Sequence, residues 1–126
     1  MKERSRRAER LADLIREELG NLLEYEVKDP RIGFATVIAV RLSGDLRTAV
    51  VLVSVLGDAE QKQESLKGLA AAQGFLRRQL ARRLGLRYAP AVTFRLDRTE
   101  ETEQQIEEML RKARSKPSEL LKNSDK

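Results

Sequence analysis

Apolar side chains recur every three or four positions along the first part of the chain, from Ser5 to about Glu26. This spacing places one apolar stripe along a helix. The members of the stripe are Ala8, Leu11, Leu14, Ile15, Leu19, Leu22 and Leu23. Lys28 and Asp29 precede Pro30, and the residue before a proline is pushed out of the helical region. The pattern therefore predicts one long amphipathic helix that ends before Pro30.

Two segments rich in β-branched residues follow, and both predict strands. Residues 34–42 are mostly apolar, and their side chains would alternate between the two faces of a strand. The side chains expected to share one face of this strand are Thr36, Ile38, Val40 and Leu42. Residues 48–56 are apolar almost throughout, which is typical of a strand buried on both faces. The turn-forming residues at 43–45 lie between them, so the two strands are predicted to form an antiparallel hairpin.

A helical register then continues without a break over residues 59–84, and Asp58 with Gln61 matches a capping box. One straight helix of this length would measure roughly 39 Å, whereas a domain of this size has a radius of gyration of about 14 Å. A bend is therefore expected. Gly74 is the predicted place for it, because glycine interrupts helices more readily than other residues. The segment assigned to this kink comprises Ala72, Gln73 and Gly74.

The remaining pattern completes one domain and adds a charged extension. Gly85 is expected to stop the helix, and residues 91–97 alternate as a third strand. The predicted architecture is an α+β domain over residues 1–98, with helices packed on one face of a three-stranded sheet. Residues 99–126 are expected to form a charged C-terminal helix and a flexible tail. The helix has a narrow apolar stripe that docks either on this sheet or on a partner: Ile106, Met109, Leu110 and Ala113.

Composition argues for binding rather than catalysis. The 126 residues include no Cys, His or Trp, so the chain lacks a thiolate nucleophile, an imidazole base and the usual zinc ligands. It contains no Gly-rich phosphate loop and no nucleophile elbow. We therefore expect no enzyme activity, no cofactor, no metal and no small-molecule substrate. No signal-peptide pattern or long apolar run occurs, which favours a soluble, cytoplasmic protein without a membrane partner. We also expect a monomer.

Charge is distributed unevenly around the net value of +5. Residues 17–73 contain nine acidic and six basic groups, whereas residues 74–98 contain one acidic and seven basic groups. On a helix, Arg78 and Arg82 fall opposite the leucine stripe. Unpaired arginines on one short helix repel one another and favour a polyanionic partner; the alternative is a solvated helix face. The candidate RNA-binding residues in this block are Arg77, Arg78, Arg82, Arg83 and Arg87.

The amino terminus has a second basic cluster, made up of Lys2, Arg4, Arg6, Arg7 and Arg10. Basic groups at a helix start oppose the helix dipole, so we interpret this cluster as a further phosphate contact, with a solvated helix start as the alternative. Arg31 is a third candidate, although its segment equally well serves to end the first helix. Among the aromatic residues, Phe34 and Phe94 are predicted to be core, Phe75 to pack at the bend, and Tyr88 either to pack or to stack on a base.

The ordered set of motifs from residue 3 to residue 98 resembles the bacterial ribosome-binding factor A family. The matching segments are Asp29-Pro30-Arg31, Ser43-Gly44-Asp45-Leu46, Val53-Ser54-Val55-Leu56-Gly57 and Ala72-Gln73-Gly74. The resemblance implies a type II KH-like fold, with the third strand beside the first. It also implies a factor that binds the small ribosomal subunit and its 16S rRNA during late maturation. Only one glycine stands where KH domains have Gly-x-x-Gly, so their four-nucleotide clamp is not expected.

We therefore expect a ribosome assembly factor that binds the free small (30S) subunit and assists maturation and processing of 16S rRNA. The alternative is a sequence-nonspecific DNA-binding protein that uses a helix-turn-helix-like pair. The leucine register that continues through Gly74 argues against this alternative, because it offers no three- or four-residue turn. A protein-interaction module based on residues 99–126 is the third possibility.

Overall fold

The computed structural model describes residues 2–97 and 106–112 of the chain, with side chains from Arg6 onward. The elements in chain order are α1 (Lys2–Tyr25), β1 (Ala35–Leu42), β2 (Thr48–Val55), α2 (Ala59–Ala71), α3 (Gln73–Leu84) and β3 (Ala91–Leu96). Residues 106–112 form a further short helix, α4. The predicted α+β class and the order of the first six elements are confirmed.

The three strands form one sheet in the order β1-β2-β3, with β1 antiparallel and β3 parallel to β2. The expectation that the third strand lies beside the first is therefore wrong. Parallel neighbours need a long crossover connection, and the α2–α3 pair provides it between β2 and β3. In this arrangement β2 is the central strand and both of its neighbours are edges.

Helices α1, α2 and α3 cover one face of the sheet, as predicted. The core between them includes Ile15, Leu19, Leu22, Val51, Val53, Leu69, Leu76 and Leu80, all with no solvent exposure. The opposite face of β2 is also buried, because Val50 and Leu52 pack against Ile106 of α4. The apolar run of β2 thus has cover on both sides, and the stripe on α4 docks on this protein's own sheet. Ala113 lies outside the described residues, as does the predicted flexible tail.

Strand β1 departs from simple alternation because of a bulge at Ile38. Val37 pairs with Val53 and Ala39 with Leu52, which leaves Ile38 as an extra residue. A bulge shifts the following side chains to the other face. As a result Ala35 and Val37 join Val40 and Leu42 in the core. The predicted face was therefore wrong in its first half, since Thr36 and Ile38 are exposed.

The break between α2 and α3 lies at Ala72, which is the first residue of the predicted kink segment and precedes Gly74 by two positions. The Ala72 amide donates hydrogen bonds of 3.1 Å to the carbonyls of Gly68 and Leu69, which tightens the last turn of α2. The Gln73 side chain then donates to the Val92 carbonyl of β3. Gly74 is exposed within α3, and a Cβ there would approach only the flexible guanidinium of Arg78. Position 74 therefore does not require glycine.

Candidate RNA interface

Arg78 and Arg82 form the outward face of α3. Leu76 and Leu80 on the other side of this helix are fully buried, whereas both arginines are exposed and lie one turn apart. Neither guanidinium has a hydrogen bond or ion pair with any residue in the described ranges. Two adjacent guanidinium groups without a carboxylate partner can bind a polyanion with no internal ion pair to break first.

Two further basic side chains extend this face towards the loop after α3. Arg77 donates a 3.3 Å hydrogen bond to the carbonyl of Ala89, which ties its guanidinium to the loop. Gly85 ends α3 with a left-handed φ of 63°. The Arg87 guanidinium then lies 5.8 Å from the ring centroid of Tyr88, whose side chain is 80% exposed. The loop therefore places a cation and an open aromatic face side by side.

Arg83 has a different environment from its neighbours on α3. Its guanidinium lies 2.7 Å from the Glu26 carboxylate and 3.5 Å from that of Glu18, which belongs to α1. The hydrogen bond with Glu26 is the main reason that the pKa of Arg83 is raised. Arg83 therefore connects α3 with the end of α1, and phosphate would have to compete with two carboxylates for it.

Arg31 is also paired with an acid. Its Nε and NH2 atoms donate to the two carboxylate oxygens of Asp29 at 3.1 and 2.7 Å, and its backbone amide donates to the same group at 2.9 Å. These contacts hold the pKa of the Asp29 carboxyl below its usual value. The fork is the geometry in which arginine binds a carboxylate most specifically. Arg31 thus shapes its own loop, which is the structural alternative considered above.

The amino-terminal cluster lies at the other end of α1. Arg6, Arg7 and Arg10 are exposed, whereas the side chains of Lys2 and Arg4 lie outside the described part. Arg10 borders a shallow groove between α1 and β1 together with the acidic Asp13 and Glu17. Eight residues, or roughly 12 Å of helix, separate Arg10 from Glu18. Asp13 and Glu17 therefore lie along α1 between Arg10 and Glu18, the residue that pairs with Arg83.

The aromatic predictions are confirmed in two cases and wrong in one. Phe94 is a core residue with 8% exposure, and Phe75 packs against the core beside the α2–α3 break. Phe34, by contrast, is 81% exposed. The apolar pattern predicts a strand that begins at Phe34, but β1 starts at Ala35. Its neighbourhood is a surface groove that the sequence pattern did not indicate.

Within residues 2–97 and 106–112, no group of three or more acidic side chains is placed to hold a metal ion. None of the helices in these ranges combines the length and the apolar character needed to cross a bilayer.

Comparison with known proteins identifies relatives over most of the chain. The family model for Ribosome-binding factor A matches residues 7–110. The Ribosome-binding factor A of Koribacter versatilis (strain Ellin345) is 48% identical over 104 residues, which is 82% of this chain and 85% of the relative. These matches agree with the resemblance seen in the motifs.

Solved structures give the same result. The crystal structure of ribosome-binding factor A from Thermus thermophilus matches with a TM-score of 0.63 at 30% identity, covering 71% of this chain and 94% of the other. A homology model of the Thermus thermophilus factor, fitted into the cryo-EM map of a 30S–RbfA complex, matches with a TM-score of 0.52 at 32% identity. It covers 68% of this chain and 94% of its own. The chain therefore belongs to the ribosome-binding factor A family.

Proposed function

We propose that this protein binds the free 30S subunit and assists late maturation and processing of 16S rRNA. The relative from Thermus thermophilus is described in a 30S complex, and family membership extends that partner to this chain. The observation that supports the mode of binding is the outward face of α3. Arg78 and Arg82 project from a helix whose other side is core, and their charges are not neutralised by any described residue.

The chemistry of this face suits a folded RNA backbone. A guanidinium donates two parallel hydrogen bonds to a phosphate and is weakly hydrated, so little solvation is lost on binding. Phosphate contacts fix the position and orientation of a protein without reading bases. Arg77 and Arg87 extend the same surface, and the exposed ring of Tyr88 offers a stacking partner for one unpaired base.

The amino-terminal arginines are proposed as a second phosphate contact, comprising Arg4, Arg6, Arg7 and Arg10. The RNA role predicted for Arg31 and Arg83 stays a prediction, and their acidic partners favour a structural role instead. In this role the protein is a cytoplasmic monomer that recognises rRNA by charge and shape and uses neither a cofactor nor a catalytic step.

The test is a double charge reversal, Arg78→Glu with Arg82→Glu, in sedimentation with purified 30S subunits. Binding should fall by at least about a hundredfold, because two phosphate contacts become repulsions. Lys28→Glu with Lys112→Glu is the matched control, since it makes the same charge change at exposed positions outside α3. Both variants should unfold at the same temperature as the parent protein. Undiminished 30S binding by the α3 variant would remove this face from the function.

A second experiment distinguishes 30S binding from the alternative function, sequence-nonspecific DNA binding. The protein is titrated into a random-sequence DNA duplex and into 30S subunits at the same ionic strength. Family membership favours the subunit, and the single residue Ala72 between α2 and α3 gives no helix-turn-helix turn. Equal affinity for both would indicate a general polyanion binder.

A further inference from the structure

A groove runs between the loop that precedes β1 and the first turns of α2. It has a volume of about 500 Å³, and two large apolar side chains border it. Phe34 is 81% exposed and Leu56 is 72% exposed. They are adjacent across the end of the hairpin, because the Leu56 amide donates a 3.1 Å hydrogen bond to the Phe34 carbonyl. Paired exposed apolar groups beside a groove are typical of a binding surface.

The walls of the groove are held in place by hydrogen bonds. Ser65 on α2 is 1% exposed, accepts a 3.1 Å bond from the Gly33 amide and donates a 3.3 Å bond to the Arg31 carbonyl. The capping box at the start of α2 is complete, with Asp58 and Gln61 exchanging two bonds of 2.8 Å. A ligand would therefore not have to order this surface, which lowers the entropy cost of binding.

The α2 wall of the groove carries two acidic side chains, Glu60 and Glu64. The Glu60 carboxylate borders it and has no ion pair with any described residue. One oxygen of Glu64, Oε2, is shielded from solvent and accepts no hydrogen bond within the described ranges, although Lys67 Nζ lies 3.4 Å away. The positive charge of Arg31 is offset by Asp29. Lys62 lies on another side of α2, where it borders a separate depression with Val55 and Asp97.

We propose that this groove binds a basic peptide segment that inserts a bulky apolar side chain between Phe34 and Leu56. Lysine or arginine side chains of the segment would pair with the Glu60 carboxylate and with that of Glu64, whose side chain is half-exposed. A nucleic acid is the less suitable occupant, because its phosphates would face these carboxylates. The proposal goes beyond the RNA-binding face and rests on the proposed function in one respect: the segment is assigned to a basic protein of the small subunit.

The experiment uses the full chain and a ten-residue peptide of lysines with two central leucines, labelled at its amino end and followed by fluorescence anisotropy. Phe34→Ser with Leu56→Ser should weaken binding by about tenfold or more, because two apolar contacts are lost. Tyr25→Ser is the matched control and should leave peptide binding unchanged, since its ring is also exposed but lies at the end of α1. A peptide with serines in place of the leucines should bind about tenfold more weakly to the parent protein.

The charge contribution is tested separately. Glu60→Lys with Glu64→Lys should weaken peptide binding by about tenfold, because two attractions become repulsions. Glu107→Lys with Glu108→Lys makes the same charge change on α4 and should leave binding within about twofold of the parent. Equal losses in both double variants would mean that the peptide senses only net charge, which would overturn the proposal.

Two other outcomes would also overturn it. One is the absence of saturable peptide binding below about 1 mM, which corresponds to about 4 kcal/mol of binding free energy. The other is tighter binding of a ten-nucleotide polyuridine that is lost in Phe34→Ser, since this would assign the groove to RNA stacking. None of these results depends on 30S binding through Arg78 and Arg82, so failure of this proposal is distinguishable from failure of the proposed function.

Discussion

The outward face of α3 and the loop at residues 29–34 both contain arginine, but they hold it in opposite ways. On α3, Arg78 and Arg82 have no carboxylate partner among the described residues. In the loop, Arg31 makes a two-pronged contact with Asp29. The difference shows that an arginine of this protein is available to bind an external anion where the fold places no carboxylate beside it.

The loop at residues 29–34 also differs from the outward face of α3 in how much it contributes to the fold. Ser65 of α2 binds the Gly33 amide and the Arg31 carbonyl of the loop, and Ile32 of the loop packs closely on Gly68 of α2. The loop is thus fixed to α2 by its own contacts. Arg78 and Arg82, by comparison, make no hydrogen bond or ion pair with any described residue, so they can be changed with little structural effect. Function and stability are therefore separable on this molecule.

The largest expected effect concerns the salt dependence of 30S binding. If about four phosphates are neutralised, affinity should fall about a hundredfold between about 50 and 200 mM salt. Arg78→Ala with Arg82→Ala leaves about two contacts and should reduce this loss to about tenfold. Lys28→Ala with Lys112→Ala should keep the parental dependence. Titrations of 30S subunits at several salt concentrations measure the slopes, and parallel slopes for all three proteins would contradict the assignment.

The next effect tests how the loop is fixed to α2. A Cβ at Gly68 would lie 2.6 Å from the Ile32 side chain, so Gly68→Ala should cost about 1–3 kcal/mol of unfolding free energy through overpacking. Gly74→Ala is the control, because its Cβ would meet only the flexible end of Arg78. It should be neutral or stabilising by up to about 1 kcal/mol, since alanine favours the helix. Urea unfolding measures both, and equal effects would refute the distinction.

Much of the fold follows from sequence periodicity, and the exceptions depend on tertiary contacts. The buried run of β2 predicted cover on both faces, and the stripe beginning at Ile106 supplies the second cover. The bulge at Ile38 leaves no mark in an alternating pattern, because one inserted apolar residue is compatible with either face. The strand order was likewise not determined by local residues, since it depends on how the α2–α3 crossover returns to the sheet.

The candidate site was predictable to a similar extent. The helical register correctly placed Arg78 and Arg82 on the outside, because that depends only on neighbours within α3. The partners of Arg83 could not be predicted, since Glu26 and Glu18 are 57 and 65 residues away in the chain. The predicted kink segment contains the break at Ala72. Its exact position depends on contacts between distant segments, such as the hydrogen bond from Gln73 to Val92 of β3.

A smaller effect separates two neighbouring arginines on α3. Arg83→Gln removes the ion pairs with Glu18 and Glu26, so its thermal unfolding midpoint should fall below that of the parent at low salt. Arg82→Gln should have an unchanged midpoint. Because salt screens partly exposed charges, the difference should shrink at about 1 M salt. Identical midpoints for the two variants at low salt would show that the Arg83 pairs add nothing to stability.

The smallest expected effect is the response of the loop to acid. Arg31 lowers the pKa of the Asp29 carboxyl, chiefly through their side-chain hydrogen bond. A carboxyl with a lowered pKa in the folded state contributes stability that is complete above its unfolded value of 3.8 and is lost as pH falls through the folded value. Asp29→Asn should therefore unfold with a weaker dependence on pH below about pH 4 than the parent.

The Asp45 carboxyl provides the comparison for this last measurement. Its pKa is also lowered, mainly by a 2.7 Å hydrogen bond from Ser43 in the hairpin turn. Asp45→Asn should also weaken the dependence of unfolding on acidic pH. The variant with both Asp29→Asn and Asp45→Asn should show the sum of the two effects, because the effects of distant sites on stability add. Urea midpoints between about pH 5 and pH 2 test this. An unchanged acid dependence in Asp29→Asn would mean that the Asp29–Arg31 fork orients the loop without stabilising it, which would confine the role of Arg31 to geometry.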